Sequence, residues 1–273
     1  MNRNPRKTAR PPASTAFACL VVALASSAAV GQTAPPKAEE HQHQGKVDPQ
    51  INAQFQKADV KAWIKRFESD DREVYARRSE IITALGLKPG MAAADVGAGT
   101  GLFSRLMAEK VGDEGKVYAV DVSAEFLKYI AEQSRKQGRK QIATVLGSQK
   151  STNLAPGSVD LVFFCDVYHH LEDPDPVLAS IHQALRPGGA LVLIEFDRAK
   201  AKEESFVKKH VRADKDQFIR EIERAGFTVD SNPPTVKLAE NFYVRFRKNA
   251  PPAAAGKSKA TGAPGGSTDG PGS

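Results

Sequence analysis

The feature that most constrains the fold is a glycine-rich run, GAGTG, between a short apolar segment and an amphipathic one. The apolar segment, residues 91–96 (MAAADV), is typical of a strand buried on both faces of a parallel sheet. After the run, apolar side chains recur at helical spacing from Phe103 to Val111. A strand, a glycine loop and a helix in this order bring the loop backbone close to a ligand, and we expect a nucleotide.

The alternation of strands and helices continues along the chain. Further strands are predicted over residues 116–121, 141–147, 159–166 and 190–196, with helical patterns between them. Two closing segments, FTVDS and NFYVRFRK, predict an antiparallel pair. Such alternation is typical of an α/β protein with a parallel sheet. Ligands bind these sheets at the carboxyl ends of the strands, where the glycine run, Asp121 and Asp166 all fall.

Two helix starts are predicted from capping patterns. Asp70 with Glu73 three residues later resembles a capping box. Asp175 and Pro176 suit the N-cap and first helical positions of the helix that follows the fourth strand.

The basic charge of the chain belongs largely to its ends. The chain carries 39 Lys and Arg against 32 Asp and Glu, a net charge of +7. Residues 46–249 carry 32 basic and 29 acidic side chains, so that their net charge is only +3. This balance gives no basic surface typical of nucleic-acid binding, and no nucleic-acid partner is expected.

Residues 1–31 predict an export signal. Four basic residues precede an apolar run over residues 16–30, and small residues suitable for cleavage lie at 28–31. The run is short for a bilayer span. We therefore expect a periplasmic or secreted protein without a stable membrane span; the alternative is that the uncleaved segment anchors the chain in the membrane.

The remaining boundaries follow from composition. Residues 32–46 are polar and contain proline, which predicts a linker. Residues 249–273 lack large apolar side chains, which predicts a disordered tail. One folded domain is expected over residues 47–248.

Asp95 distinguishes between classes of nucleotide. It stands two residues before Gly97, where a diphosphate on the loop would meet a carboxylate. S-adenosylmethionine carries an ammonium and a sulfonium instead of phosphates, and an acid stabilises both. Asp121 follows Gly101 by twenty residues, where a carboxylate can accept both ribose hydroxyls. NAD enzymes share that second feature, and the alternative that both acids only cap local structure stays open.

Three segments resemble successive motifs of the class I S-adenosylmethionine-dependent methyltransferases: ADVGAGTGLFSRLMAE, VYAVDVS and VDLVFFCDVYHHLEDPDPVLASIHQALRPGGALVLIEF. The branch they most resemble is the type 11 group, which includes ubiquinone and menaquinone biosynthesis methyltransferases. The resemblance runs from Leu87 to Phe227. It implies a Rossmann-like sheet of seven mostly parallel strands, with helices on both faces and an antiparallel last strand. It also implies N-terminal lid helices over the cofactor, where Tyr75 and Arg78 are candidates for covering it.

The resemblance also assigns the residues that bind S-adenosyl-L-methionine. Asp121 would hold the ribose and Val122 would lie against the adenine. Family members often carry an acid after the glycine that ends the third strand, whereas this chain has Ser148 there. The full set of cofactor-binding candidates is Asp95, Gly97, Ala98, Gly99, Gly101, Asp121, Val122, Ser148 and Asp166.

Methyl transfer depends more on in-line geometry than on an acid or base, because the sulfonium is already activated. A base matters only where the acceptor must lose a proton. Asp166 and His169 are the candidate catalytic residues, and the alternative is that the histidines only shape a turn. Adjacent histidines are expected to point apart, so at most one of His169 and His170 would face the acceptor. No metal site is predicted, since spacing offers Asp166 and His169 no third ligand.

The sequence therefore predicts an S-adenosylmethionine-dependent methyltransferase acting on a small-molecule or lipid-like acceptor. Acceptor specificity is assigned to the lid helices and to residues 197–213, which show no chemical motif. One alternative is a domain that binds S-adenosylmethionine without catalysis. Another, an NAD(P)-dependent oxidoreductase, is disfavoured by Asp95, by a third glycine one residue too early, and by the lack of a recognisable Tyr-x-x-x-Lys.

Overall fold

The structure, a computed structural model, describes residue 47, residues 52–55 and residues 58–249. The predicted signal segment, the linker and the tail from residue 250 onward lie outside the described residues, so those assignments stay predictions. In the part of the chain that is described, no helix is both long and apolar enough to cross a bilayer.

Helices and strands alternate along the described residues. The helices are α1 (Val60–Phe67), α2 (Glu73–Ala76), α3 (Arg78–Ala84), α4 (Leu102–Val111), α5 (Ala124–Lys136), α6 (Pro174–Ala184), α7 (Phe206–His210) and α8 (Lys215–Arg224), with a 3₁₀ turn over Tyr168–His170. The strands are β1 (Ala92–Val96), β2 (Lys116–Asp121), β3 (Ile142–Leu146), β4 (Val159–Cys165), β5 (Leu185–Phe196), β6 (Phe227–Val229) and β7 (Asn241–Lys248).

The strands form one seven-stranded sheet in the order β3-β2-β1-β4-β5-β7-β6. Neighbours from β3 to β5 pair in parallel. The last strand, β7, lies antiparallel to both β5 and β6. This arrangement confirms the predicted sheet and its antiparallel closing pair. The chain switches direction across the sheet between β1 and β4, so a crevice for a ligand opens beyond the carboxyl ends of these strands.

Apolar side chains pack on both faces of the sheet. On one face Phe164 and Leu178 belong to a buried cluster that includes residues of α6 and α8. On the other face Phe163 and Met107 belong to a second cluster, with residues of α3 and α4. All five residues of β1 are buried, as expected for a central parallel strand. The predicted placement of helices on both faces is therefore confirmed.

The two predicted helix caps are both wrong. Helix α6 begins at Pro174 with Asp173 as its N-cap, two residues before the predicted start. The segment DPDP offers two Asp-Pro pairs, and use of the first pair buries Pro174. Glu73 caps no helix with Asp70. Its carboxylate accepts the backbone N–H groups of Ala239, Glu240 and Asn241, which fixes the start of β7 against α2.

Candidate functional site

The glycine loop packs so closely that it excludes larger residues. Gly97 has φ +74°, and a Cβ on it would lie 2.5 Å from both Cγ atoms of Val167. Gly101 has φ +75°, and a Cβ there would lie 2.7 Å from Cγ1 of Ile130. Both positions combine a left-handed backbone with no room for a side chain. The loop thus brings its backbone to the crevice between β1 and β4, with Ala98 buried beneath it.

Asp121 is held at the end of β2 by the backbone of its neighbours. Oδ2 accepts the N–H of Gly99 at 2.8 Å, and Oδ1 accepts the N–H of Ser123 at 2.8 Å. Burial raises the pKa of Asp121, while these backbone donors act to lower it. Each carboxylate oxygen keeps further lone-pair capacity. The group is thereby oriented to accept a pair of vicinal hydroxyls.

Asp95 lies buried beneath the glycine loop. Its Oδ2 accepts the hydroxyl proton of Ser104 at 2.6 Å. Burial raises the pKa of Asp95 to about 6, and the nearby Asp121 carboxylate contributes to the rise. A cation bound above the loop would stabilise the ionised form, whereas a diphosphate would oppose it.

Val122 and Ser148 lie on the wall beside Asp121. Val122 is 49% exposed although it is apolar, and it lines a cavity together with Phe126 and Ser148. Ser148 starts a tight turn, in which its N–H donates to the carbonyl of Ser151 at 2.8 Å. Apolar side chains beside a polar turn suit a flat heterocycle.

All nine predicted cofactor-binding positions except Gly101 line one cavity of about 810 Å³. Gly101 instead packs on Ile130, as described above. The cavity also reaches the 3₁₀ turn, α1 and α7. Its volume is in the range of sites that enclose a drug-sized ligand.

Helix α1 closes one side of the cavity and is tied to the glycine loop. The Trp63 and Phe67 rings lie 4.7 Å apart between centroids, and both line the cavity. Beyond the helix, Glu68 accepts the hydroxyl proton of Thr100 at 2.7 Å and bonds to Arg105 Nη2 at 2.9 Å. The lid is therefore anchored to the loop that it covers.

Tyr75 and Arg78, predicted to help cover the cofactor, are not among the described residues that line the cavity. The Arg78 guanidinium lies over the Tyr75 ring at 4.1 Å from its centroid and donates to the Tyr75 carbonyl at 2.7 Å. The cover comes instead from residues nearer α1, including Phe67 and Arg72. These two side chains contact each other instead, and the role of the N-terminal helices as a lid stays a prediction.

Asp166, at the end of β4, joins the lid segment, residues 63–72, to the sheet. It has φ +53°, unusual for a residue other than glycine. Oδ2 accepts from Arg72 Nη2 at 2.7 Å, and Oδ1 accepts from Asn241 Nδ2 at 2.6 Å. Burial raises the pKa of Asp166 and the Arg72 guanidinium opposes that rise. Because both oxygens are engaged, this geometry gives Asp166 a positioning role; its predicted catalytic role stays a prediction.

The histidines at the other end of the cavity form a cluster. His169 and His170 lie with ring centroids 4.2 Å apart, and His210 of α7 lies within 5.0 Å of each. The expectation that at most one adjacent histidine faces the site is wrong, because the 3₁₀ turn directs both rings toward the cavity.

Polar groups lie close to two of these rings. Nδ1 of His169 lies 2.9 Å from Oε1 of the buried Glu195, which also accepts the His169 backbone N–H at 2.9 Å. Nδ1 of His170 lies 3.1 Å from Oδ1 of Asn52. Burial lowers the pKa of His170 to about 2 and that of His210 to about 4, and each is lowered further by the neighbouring His169. Both are therefore neutral imidazoles at neutral pH.

Sequence reasoning missed Arg72, Glu195 and His210. Arg72 stands in no motif, and His210 lies in the segment where no chemical pattern is visible. Glu195 lies within a motif segment, but in a predicted strand where nothing marks it as functional. Only the tertiary fold brings α7 and the lid segment to the ends of β4 and β5.

The chain resembles known proteins in both sequence and structure. Residues 94–193 match the family model described as a methyltransferase domain. The chain is 30% identical over 111 residues to the ubiquinone/menaquinone biosynthesis C-methyltransferase UbiE of Legionella pneumophila, covering 40% of this chain and 44% of that protein. It is 23% identical over 175 residues to phosphoethanolamine N-methyltransferase 2 of Caenorhabditis elegans, covering 64% and 39%.

The chain thus spans less than half the length of these two relatives. Among solved structures, a SAM dependent methyltransferase from Aquifex aeolicus superposes with a TM-score of 0.60 at 25% identity. The superposition covers 70% of this chain and 99% of that one. The region that matches the family model, residues 94–193, contains the glycine loop, β2 and β4.

Proposed function

We propose that this chain, which contains a class I S-adenosylmethionine-dependent methyltransferase domain of the type 11 group, transfers a methyl group from S-adenosylmethionine to a small-molecule or lipid-like acceptor. The observation that carries the proposal is a single cavity with Asp95, Asp121 and the glycine loop at one end and the histidine cluster at the other. The two relatives are named for carbon and nitrogen acceptors, so the acceptor atom is not carried over from them.

The residues present fit S-adenosylmethionine better than a dinucleotide. Under the glycine loop lie two buried carboxylates, Asp95 and Asp121. In the described part of the chain, the Lys and Arg side chains lining the cavity all belong to the lid segment, residues 63–72. The loop therefore offers negative charge to an ammonium or sulfonium, and the lid lies above it. A diphosphate in the same place would lack a basic partner on the loop.

S-adenosylmethionine, when bound, supplies an activated methyl group, so the protein has to orient and enclose the reactants. A Cβ on Gly99 would lie 3.4 Å from Cε2 of Phe67, which shows how closely the lid ring covers the loop. Holding two reactants in line contributes up to roughly 7–11 kcal/mol to a reaction of this kind. The anchored lid also excludes water from the cavity.

The end of the cavity at the histidine cluster, called the acceptor end below, is lined by apolar rings around the polar imidazoles. Trp63, Phe196 and Phe206 line the cavity near the three histidines. These rings suit an acceptor with an apolar body, and the neutral imidazoles of His170 and His210 suit a nucleophilic group on it. This composition supports a small or lipid-like acceptor in place of a charged polymer.

The test is transfer of a labelled methyl group. The full chain is incubated with S-adenosylmethionine labelled in the methyl group and with small-molecule and lipid extracts, and labelled product and S-adenosylhomocysteine are measured. We expect both to form, and neither to form with an Asp121→Ala variant. Tight cofactor binding without transfer to any fraction would contradict the proposal and favour a domain that binds S-adenosylmethionine without catalysis.

A further inference from the structure

Three histidines from two separate segments share one pocket. His169 and His170 come from the 3₁₀ turn after β4, and His210 ends α7. Each ring offers one nitrogen, and the three nitrogens lie within 4.8 Å of one another. Tetrahedral zinc bonded to nitrogen at about 2.0–2.1 Å needs ligand nitrogens about 3.3 Å apart. Small rotations of the partly exposed His170 and His210 rings would bring the nitrogens from within 4.8 Å of one another to the separation of about 3.3 Å that zinc needs.

His169 carries the strongest indication of a ligand. Its side chain is 2% exposed and lines the cavity. Both ring nitrogens, Nδ1 and Nε2, are buried and have no hydrogen-bond partner among the residues that the structure describes, although Nδ1 lies 2.9 Å from Oε1 of Glu195. A buried ring nitrogen without a partner is unfavourable, because the polar group has lost its water. A metal ion in the pocket would satisfy it.

Two neighbouring groups lie where the outer partners of metal-bound histidines lie. The Glu195 carboxylate lies at Nδ1 of His169, at 2.9 Å, and the Asn52 amide oxygen lies at Nδ1 of His170, at 3.1 Å. At His170, donation from Nδ1 to Asn52 leaves Nε2 its lone pair for the metal. At His169, a small rotation of the ring would complete the same donation to Glu195, which already lies at 2.9 Å. Fully buried Glu195 also supplies negative charge beside a divalent cation.

We propose that His169, His170 and His210 bind one divalent transition-metal ion of the zinc class. The sequence predicted no metal here, because it paired His169 with Asp166, which the fold turns toward Arg72 and Asn241. Three imidazole ligands would leave a fourth position for a ligand from the cavity that all three histidines line. Catalytic zinc sites share this arrangement of three protein ligands and one open position.

The open position suits an acceptor bearing a thiol or hydroxyl group. Coordination to the ion lowers the pKa of such a group, and the proton leaves to solvent. This assignment of acceptor class rests on the proposed methyltransferase function, whereas metal binding by the three histidines does not.

Cobalt(II) titration of the full chain tests the site, because tetrahedral cobalt absorbs visibly. We expect one equivalent to bind with intense visible bands. His210→Ala should weaken cobalt binding by more than the roughly 10- to 100-fold that follows loss of an outer partner. Glu195→Gln should weaken it within that range. His182→Gln serves as the matched control, since His182 packs on Phe227 away from the cavity. A His41→Gln/His43→Gln double variant is a second control, because residues 41 and 43 of the predicted linker are the other two histidines close together in the sequence.

A second variant guards against misfolding. His210→Cys keeps a metal ligand, so it should bind cobalt and add a thiolate charge-transfer band, a result that a purely structural role for His210 does not produce. The proposal would be overturned if the wild-type chain bound no tetrahedral cobalt or if His210→Ala still bound it. It would also be overturned if the control variants lost cobalt binding equally, or if His210→Cys bound no cobalt. S-adenosylmethionine titration of His210→Ala, expected to match wild type, separates this outcome from failure of the proposed function.

Discussion

The two ends of the cavity are built in different ways. At the cofactor end, Asp121 is held by the backbone of Gly99 and Ser123, all within one strand-loop-strand region. At the acceptor end, His169 and His210 come from different segments, and Glu195 of β5 lies beside His169. A local motif therefore defines the cofactor end, and long-range packing defines the acceptor end. Changes at one end should leave ligand binding at the other largely intact.

The largest expected effect is on cofactor affinity in Asp121→Ala. Removing the carboxylate leaves the Gly99 and Ser123 N–H groups unpaired and deletes the acceptor for the ribose. Each hydrogen bond to a charged group contributes about 1.5–3 kcal/mol, so affinity for S-adenosylmethionine should fall about 100-fold or more. Calorimetric titration measures the change.

Asp160→Ala is the matched control. Asp160 also accepts a backbone N–H, that of Ala92 at 2.8 Å, and it pairs with Arg186. It lies near the amino end of β4, away from the carboxyl end where the cavity opens, and does not line the cavity. Its loss should lower stability without changing cofactor affinity. Equal affinities for the two variants would remove Asp121 from the cofactor site.

The second effect is a loss of stability in Gly97→Ala. A Cβ there would meet Val167 at 2.5 Å in a left-handed backbone. We expect a loss of about 3 kcal/mol from strain and overpacking together. Gly138→Ala, with φ +67° and open space around it, should lose only about 1–2 kcal/mol. Denaturant unfolding compares the two, and Val167→Ala should partly rescue Gly97→Ala; a rescue of Gly138→Ala by the same change would argue against the contact.

The third effect is a pH dependence. Raising the pH should strengthen S-adenosylmethionine binding but lower the folding stability of the ligand-free protein. Burial raises the pKa of Asp95 to about 6 in the free protein, and a bound cation favours the ionised form. Affinity for S-adenosylmethionine should therefore fall about tenfold per pH unit below pH 6, as the carboxylate must first lose its proton. Calorimetry between pH 5 and 7 checks this slope.

Folding stability moves the other way. Because the pKa of Asp95 is higher in the folded chain than in the unfolded chain, the folded state binds more protons between about pH 4 and 6. The free energy of unfolding of the ligand-free protein should thus decrease as pH rises through that window. Asp95→Asn should abolish the binding dependence below pH 6 and reduce the slope of stability, while the remaining slope comes from Asp121 and Asp166, whose pKa values burial also raises. An unchanged binding slope in Asp95→Asn would assign that titration to another group.

The smallest expected effect concerns the lid. Glu68 ties α1 to Thr100 and Arg105 through partly buried contacts. Loss of such a pair corresponds to about 1 kcal/mol, so Glu68→Ala should weaken cofactor binding about fivefold. Tyr75→Phe, outside the cavity, should leave it unchanged. If Tyr75→Phe weakened binding as much as Glu68→Ala, the lid would not close where this structure places it.

The difference between the two ends also explains what sequence could predict. The glycine run, Asp95 and Asp121 lie in one stretch, where strand, turn and helix patterns fix their positions relative to each other. The parallel α/β sheet followed from the same alternation, and the number of strands followed from the family resemblance. Arg72, Glu195 and His210 could not be assigned, because their roles depend on which side chains meet across α1, β5 and α7. The helix start at Asp173 was missed for another reason, since two equivalent Asp-Pro pairs stand side by side.

The most direct test of the central claim is calorimetric titration of the full chain with S-adenosylmethionine and, separately, with NADH. The claim is that the carboxylate-lined glycine loop selects a cationic nucleoside without a diphosphate. It predicts micromolar binding of S-adenosylmethionine and no measurable heat with NADH. Binding of NADH with comparable affinity, or no binding of S-adenosylmethionine, would contradict it.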